Sequence, residues 1–313
     1  MIQETQHIPV LTSEVLDLLK AKEGGTFLDC TFGGGGHARA ILESNQANFV
    51  DAVDRDQSAI NRALPILESF GDRLNLFYSP FSEISTTLPP RVYQGVLADL
   101  GTSTDQLFDS RGFSFHDQVP LDMRMDSAQD QTAAGVVNSY SLGQLRKVFQ
   151  RGGIRQHADR LARAIVDQRP FKSAKDLSVC IEKSIGSFQK GKSSHPATVV
   201  FQAIRIEVNQ EFEEIESLLS QLRELLVEGG RFVCISFHSL EDQIITKRLR
   251  SWEGRDFSAL DASSGQPEVL GKLLTRKAIT PTESEIESNS RSRSARLRAF
   301  EFFPKGAGSR GMN

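Results

Sequence analysis

The chain has 313 residues, 39% of them hydrophobic and 25% charged, and a formal net charge of −3. Such a length and make-up fit one or two globular domains with a sizeable core, and the charge excludes wholesale polyanion binding. No apolar run approaches the roughly 18 residues of a membrane-spanning helix. Met1–Glu4 offer no basic region followed by an apolar stretch, so no secretory signal and no membrane partner are expected. Cys30, Cys180 and Cys234 are odd in number and scattered, which points to buried thiols in a reducing cytoplasm rather than to disulfides or a metal site.

The first predicted element is a strand, Thr26–Cys30, followed by Gly33-Gly34-Gly35-Gly36-His37 and an amphipathic helical run from Ala38. Glycine tolerates positive φ and lets a ligand press against the backbone, and the helix start behind it offers free N–H groups. About twenty residues on, a second strand, Phe49–Val53, ends at Asp54, where an acid suits a ribose hydroxyl pair. The spacing Gly33-x-Gly35-x-x-Ala38 also fits a dinucleotide turn. Asp29, at the end of the first strand, would repel a pyrophosphate, so a cationic, amino-acid-bearing nucleoside such as S-adenosylmethionine suits the turn better. Third and fourth strands are expected at Leu74–Tyr78 and Gly95–Leu100, with helical segments between, as in a parallel doubly wound α/β sheet. Pro65 should kink or delay the helix after the second strand.

After the fourth strand the alternation stops, and Gln131 to Gln221 reads as helices only. Pro170 ends one helical run. Pro196 suits the start of a long helix whose apolar face carries Ile215, Leu218, Leu219, Leu222 and Leu226, with Gly229-Gly230 as its stop. A fifth strand, Arg231–Phe237, and a helical run, Leu240–Leu249, follow. Trp252–Gly271 reads as a surface loop. Lys272–Ala278 and Ala295–Phe302 read as the last two strands of a long-looped hairpin, with a mobile Ser/Glu/Arg-rich stretch between them. The expected organisation is an α/β domain in two pieces, residues 1–110 and 209–313, around an all-helical insertion at 111–208. Two basic clusters, Lys247/Arg248/Arg250 and Arg291/Arg293/Arg296/Arg298, fit a nucleic-acid footprint or a solvated basic face equally well.

Eight segments occur in an order that names a family. They are His7-Ile-Pro-Val-Leu, Asp29-Cys-Thr-Phe-Gly-Gly-Gly-Gly-His37, Asp99-Leu-Gly-Thr-Ser-Thr-Asp-Gln106-Leu, Arg111-Gly-Phe-Ser-Phe115, Pro120-Leu-Asp-Met-Arg-Met-Asp126, His195-Pro-Ala-Thr198, Phe201-Gln-Ala-Ile-Arg-Ile-Glu-Val-Asn209 and Ile235-Ser-Phe-His-Ser-Leu-Glu-Asp242. With them the chain resembles, over nearly its whole length, the bacterial 16S ribosomal RNA cytosine-N4 methyltransferase family. The resemblance implies a class I (Rossmann-like) methyltransferase sheet with an inserted helical domain; that insertion follows the fourth strand directly and carries Arg146, Lys147, Arg151, Arg155, Arg160 and Arg163, so it is expected to contribute to RNA recognition. The resemblance also implies S-adenosylmethionine as donor and a cytidine in the decoding region of small-subunit RNA as acceptor. Donor-contacting positions carried over by residue type are Gly35, Gly36, His37, Asp54, Phe81, Asp99 and Gln106. The chain departs from the family pattern in the insertion, at Arg151-Gly-Gly-Ile154 and Val199-Val200.

The chemistry adds candidates. The exocyclic amine of cytosine is a poor nucleophile, and an acceptor that takes its N–H proton localises the lone pair. Asp99, at the mouth of the sheet, suits that task or a donor contact. Ser236 and His238, at the end of the fifth strand, are expected to face the same crevice, the histidine holding the base, moving a proton or fixing local backbone. Phe113 and Phe115, beside Arg111 and Arg124, could stack an unstacked base or pack in the core. Two other readings are a dinucleotide-dependent oxidoreductase and a non-catalytic RNA-binding relative. The expected partner is 16S ribosomal RNA or the small ribosomal subunit, with a homodimer left open, and no metal is expected.

Overall fold

The computed structural model describes residues 9–102, 111–115, 118–185, 196–254 and 269–305. It divides into two compact units: residues 1–101 with 213–313, and residues 102–212. The first unit carries a seven-stranded sheet of order β3-β2-β1-β4-β5-β7-β6. Its strands are β1 Thr26–Asp29, β2 Phe49–Asp54, β3 Leu74–Tyr78, β4 Tyr93–Asp99, β5 Leu226–Ser236, β6 Gly271–Leu273 and β7 Arg296–Phe302. β1 to β5 run parallel, while β7 runs antiparallel to both β5 and β6.

Helix α1 Thr12–Leu19 precedes β1, and α2 Gly36–Ser44, α3 Gln57–Arg62, α4 Leu64–Phe70 and α5 Ile84–Thr87 connect the first four strands. The strands are apolar on both faces, as a sheet covered on both sides requires. Phe27, Leu97, Val233 and Ile235 pack with Val15, Ile41 and Leu42 in one cluster. Leu28, Val96, Phe232 and Cys234 point the other way and pack with Leu218, Leu219, Leu222 and Ile245. Burying each such Leu, Ile or Phe contributes roughly 1.5–3 kcal/mol. Cys30, Cys180 and Cys234 are buried free thiols. Among the described residues no helix is long and apolar enough to cross a membrane.

The second unit is built from α6 Ala133–Ser139, α7 Leu142–Arg151, α8 Ala158–Asp167, α9 Ala174–Ile185 and α10 Pro196–Asn209. Its core gathers Val136, Leu145, Phe149, Leu161, Ile165, Leu177, Val200 and Ile204. Of the departures from the family pattern, Ile154 packs half-buried against this core, while Arg151 and Gly153 are exposed. A Cβ on Gly152 would lie 2.2 Å from that of Ala203, so the end of α7 meets α10 at backbone distance. Val200 is fully buried. Phe113 is buried too, under the Arg111 guanidinium, and Phe115 packs edge-on against Phe201 at 5.7 Å. Arg111 donates to the carbonyls of Arg124 and Met125, and Arg124 forks onto Asp122. For Phe113 the core reading is the right one, because an aromatic ring that fills a helical core gains more than one held in water.

Three sequence expectations are corrected. Pro65 does more than kink the helix after β2; the run splits into α3 and α4, with the proline in the first turn of α4. The long helix from Pro196 is two helices, α10 and α11 (Glu211–Leu225), because Gln210 adopts a positive φ of 49°. Asn209 secures the break: its side chain accepts from Met125 N and donates to Met123 O. The chain enters β5 at Leu226, before Gly229-Gly230. After α12 (Ser239–Trp252), the stretch between β6 and β7 holds a helix, α13 Glu283–Ser288, and a 3-10 turn at Ser290–Ser294. Glu285 anchors it by accepting from Leu11 N at 2.7 Å. Most of the expected loop Trp252–Gly271 lies outside the described residues.

Candidate active site

The carboxyl ends of β1, β2 and β4 lie side by side, with Asp29 paired in register to Ala52 and Leu97. The chain leaves β1 through a turn in which Phe32 N donates to Val53 O and Gly35 N to Phe32 O. Gly35, at φ 75°, is the N-cap of α2. A Cβ there would meet Ile66 at 2.7 Å and Phe32 at 2.8 Å, so only glycine gives both the left-handed backbone and the close approach. Gly36 opens α2 next to Pro9, whose ring a Cβ would meet at 3.1 Å.

Asp54 ends β2 and fastens this turn. Its Oδ2 accepts from Gly33 N at 2.7 Å, and its Oδ1 from Asp56 N at 2.8 Å. Burial raises its pKa to about 6 against the opposing pull of those two amides. Each carboxylate oxygen has a second lone pair for a ribose hydroxyl. Phe81, in a 3-10 turn after β3, packs partly buried against the sheet's core, and its carbonyl is held by Gln221 at 2.7 Å. Gln106 lies outside the described residues.

His37, Asp29 and Asp99 form one cluster. His37 Nε2 lies 3.5 Å from Asp99 Oδ2, and both side chains are largely buried. Burial alone would lower the histidine's pKa, but the hydrogen bond and charge of Asp99, with the charge of Asp29, outweigh it and raise it. Burial raises that of Asp29, against the charge of His37 and the amide of Thr31. Two carboxylate oxygens, Asp29 Oδ2 and Asp99 Oδ1, are buried without a hydrogen-bond partner. A group of this kind is costly to bury unless something pairs with it. Acceptors beside a glycine turn fit a ligand that brings an ammonium, a sulfonium or N–H donors, and they do not fit a pyrophosphate.

Thr31 is the site residue that sequence reading missed. Its hydroxyl accepts from Asp99 N at 2.7 Å and lies 3.4 Å from Asp29 Oδ1, while its amide donates to the same oxygen at 3.0 Å. It thereby sets the spacing of the two acids. The signal available was a hydroxyl residue between the strand-end acid and the first glycine.

Ser236 and His238 take up backbone duties. Ser236 is fully buried and donates to Arg296 O at 3.4 Å. His238 is the N-cap of α12: its Nδ1 accepts from Glu241 N at 3.3 Å, and its Nε2 lies 3.0 Å from Glu241 Oε1. Glu241 answers by accepting from Phe237 N and His238 N.

Residues 4–303 match the profile of the MraW methylase family. A protein of Cyanothece named ribosomal RNA small subunit methyltransferase H is 42% identical over 296 residues, covering 94% of each chain. One of the same name from Helicobacter pylori is 40% identical over 312 residues, covering 96% of this chain and 99% of its own. An rRNA methylase structure from Streptococcus thermophilus covers 95% of this chain and 99% of its own at 9% identity and a TM-score of 0.42. With the parallel strands, the reversed β7 and the glycine turn at β1, the fold is a Rossmann-like class I methyltransferase sheet, and the chain belongs to the MraW methylase family.

Proposed function

We propose that this chain transfers a methyl group from S-adenosylmethionine to the exocyclic N4 of a cytidine in the decoding region of 16S ribosomal RNA. Family membership supports methyl transfer, and the relatives' shared name supports small-subunit ribosomal RNA as the substrate. The observation that carries the chemistry is Asp99 Oδ1, a buried carboxylate oxygen left without a partner at the end of β4. S-adenosylmethionine, when bound, supplies an electrophilic methyl group on a sulfonium. Gly35 and Gly36 would admit its amino-acid portion, Asp29 and His37 would face its charged end, Asp54 would take the ribose hydroxyls and Phe81 would line the pocket beyond β3.

Asp99 then holds the amine and accepts its proton, which directs the nitrogen lone pair out of the ring conjugation. Thr31 fixes the backbone of that acid. Ser236 and His238 hold the neighbouring strand end and the start of α12, keeping the rim of the crevice in place. The dinucleotide reading conflicts with the two acids at the turn and with the family.

The test is transfer of isotopic methyl from S-adenosylmethionine to small-subunit ribosomal RNA, followed by mass spectrometry of the digested nucleosides. Label on N4-methylcytidine is expected. Label on a ring carbon, on a ribose or only on protein would sink the assignment.

A further inference from the structure

The carboxyl edge of the sheet holds a second feature beside Asp99. β5 runs out through Phe237, His238 and Ser239 into α12, and β7 begins at Arg296, in antiparallel register with Ser236. Between the two lies a cleft of about 380 Å³ lined by Phe237, His238, Ser239, Thr280, Arg293 and Arg296, among others.

Its charge is one-sided. Asp242, at the start of α12, is already countered by Arg298, which donates to both its oxygens at 2.8 and 3.1 Å. Glu241 is spent on His238 and on the amides of Phe237 and His238. The groups left toward solvent are Arg296, whose side chain is 44% exposed while touching Asp242 at 3.4 Å, and Arg293. No ion pair holds Arg293 among the described residues.

The position relative to Asp99 is fixed by register. Asp99 pairs with Ile235 on β5, and Ser236 pairs with Arg296 on β7. Two strand spacings, about 9–10 Å, therefore separate the acid from the basic cleft. A Cβ at Gly101, two residues past Asp99, would meet the Phe237 ring at 3.3 Å, so that ring packs against the chain as it leaves β4. The separation is comparable to the distance from a pyrimidine's exocyclic amine to its own phosphate.

We infer that the Arg293–Arg296 cleft binds a backbone phosphate of the RNA substrate at the target nucleotide, fixing the position of the base beside Asp99. The inference rests on the RNA reading above. It gives the Arg291–Arg298 cluster a divided role: Arg298 holds the fold, while Arg293 and Arg296 hold the phosphate.

The test uses the full chain with small-subunit ribosomal RNA as methyl acceptor, comparing Arg293→Ala, Arg296→Ala and, as a control of equal charge on the same turn, Arg291→Ala. Loss of the phosphate contact should raise the apparent Kd for RNA roughly ten-fold. It should also lower the slope of log K against log salt by about 0.7–0.9 per contact. Donor affinity by calorimetry should hold, and Arg291→Ala should have the smaller effect. An unchanged salt slope in Arg293→Ala and Arg296→Ala overturns the inference. So does an equal loss in Arg291→Ala, which would mean a diffuse basic field and no phosphate site. A wild-type protein that binds the donor yet methylates no RNA would instead bring down the substrate reading, and the inference with it.

Discussion

Asp99 and Asp54 are both strand-end carboxylates, and their surroundings give them different work. Asp54 has both oxygens engaged by backbone amides, whereas Asp99 keeps Oδ1 unpartnered. Asp99→Asn retains the shape and removes the proton acceptor. Single-turnover methylation should fall by roughly 10²- to 10⁴-fold with modest loss of donor affinity. If affinity falls and the saturated rate recovers, the acid serves the donor only. Asp54→Ala should weaken donor binding about ten- to a hundred-fold by calorimetry in a folded protein, the value of a charged hydrogen bond. Because its pKa is raised to about 6, wild-type donor affinity should drop as pH falls through about 6, and a flat profile would count against the ribose contact. The same shift acts on stability with a fixed sign. Between 3.8 and about 6 the native state binds a proton that the unfolded state does not. This group's contribution to unliganded stability is therefore largest at low pH and declines as pH rises through that window.

The glycine turn between β1 and α2 is an element whose backbone and packing demand the same residue. Gly35 combines φ 75° with side chains of Ile66 and Phe32 inside 3 Å of any added Cβ. Gly35→Ala should cost about 1–3 kcal/mol, read as a lower denaturant midpoint at unchanged m. The turn would have to shift to relieve the contact, so donor affinity should fall as well. A variant with wild-type midpoint and affinity would show that the turn is not held by this glycine. The break between α10 and α11 has a different origin. No proline or glycine marks it; the side chain of Asn209, reaching Met123 and Met125, and the Arg205–Glu211 pair at 2.7 Å stabilise a left-handed Gln210.

For the molecule as a whole, the two units carry different surfaces. In the helical unit, α7 and the chain through α8 present Arg146, Lys147, Arg151, Arg155, Arg160 and Arg163, all exposed, while the apolar positions of those helices are buried. Arg163 is paired with Asp159, and Arg151 lies over Phe212. We propose this face as a contributor to RNA binding. Replacing Arg146, Lys147, Arg155 and Arg160 together by glutamine should weaken RNA binding and flatten its salt dependence, with donor affinity intact. Unchanged binding and slope would assign the unit another purpose, such as dimerisation.

The sequence by itself determined the strands and the turn. The expected apolar segments fall on β1 to β4 within two residues of their ends, β3 spans Leu74–Tyr78 as expected, and β5 ends one residue early but begins five residues before its expected start. Asp29, Gly35, Asp54 and Asp99 were legible because strand ends and glycine turns are local features, readable from neighbours in the chain. The family segments added the chemistry that spacing alone left open between two cofactor classes. Tertiary structure alone decided the rest. Helical periodicity continues smoothly across Asn209–Glu211, so the break there depends on partners eighty residues away in sequence. The Ser/Glu/Arg-rich stretch before β7 has no apolar pattern of its own and is fixed by Glu285 on Leu11, across the length of the chain. His37 beside Asp99, Thr31 between two acids, and Arg293 and Phe237 lining one cleft all bring together segments that the sheet gathers. A pattern of residue types records which face of an element is buried; it does not record which neighbour that face will meet.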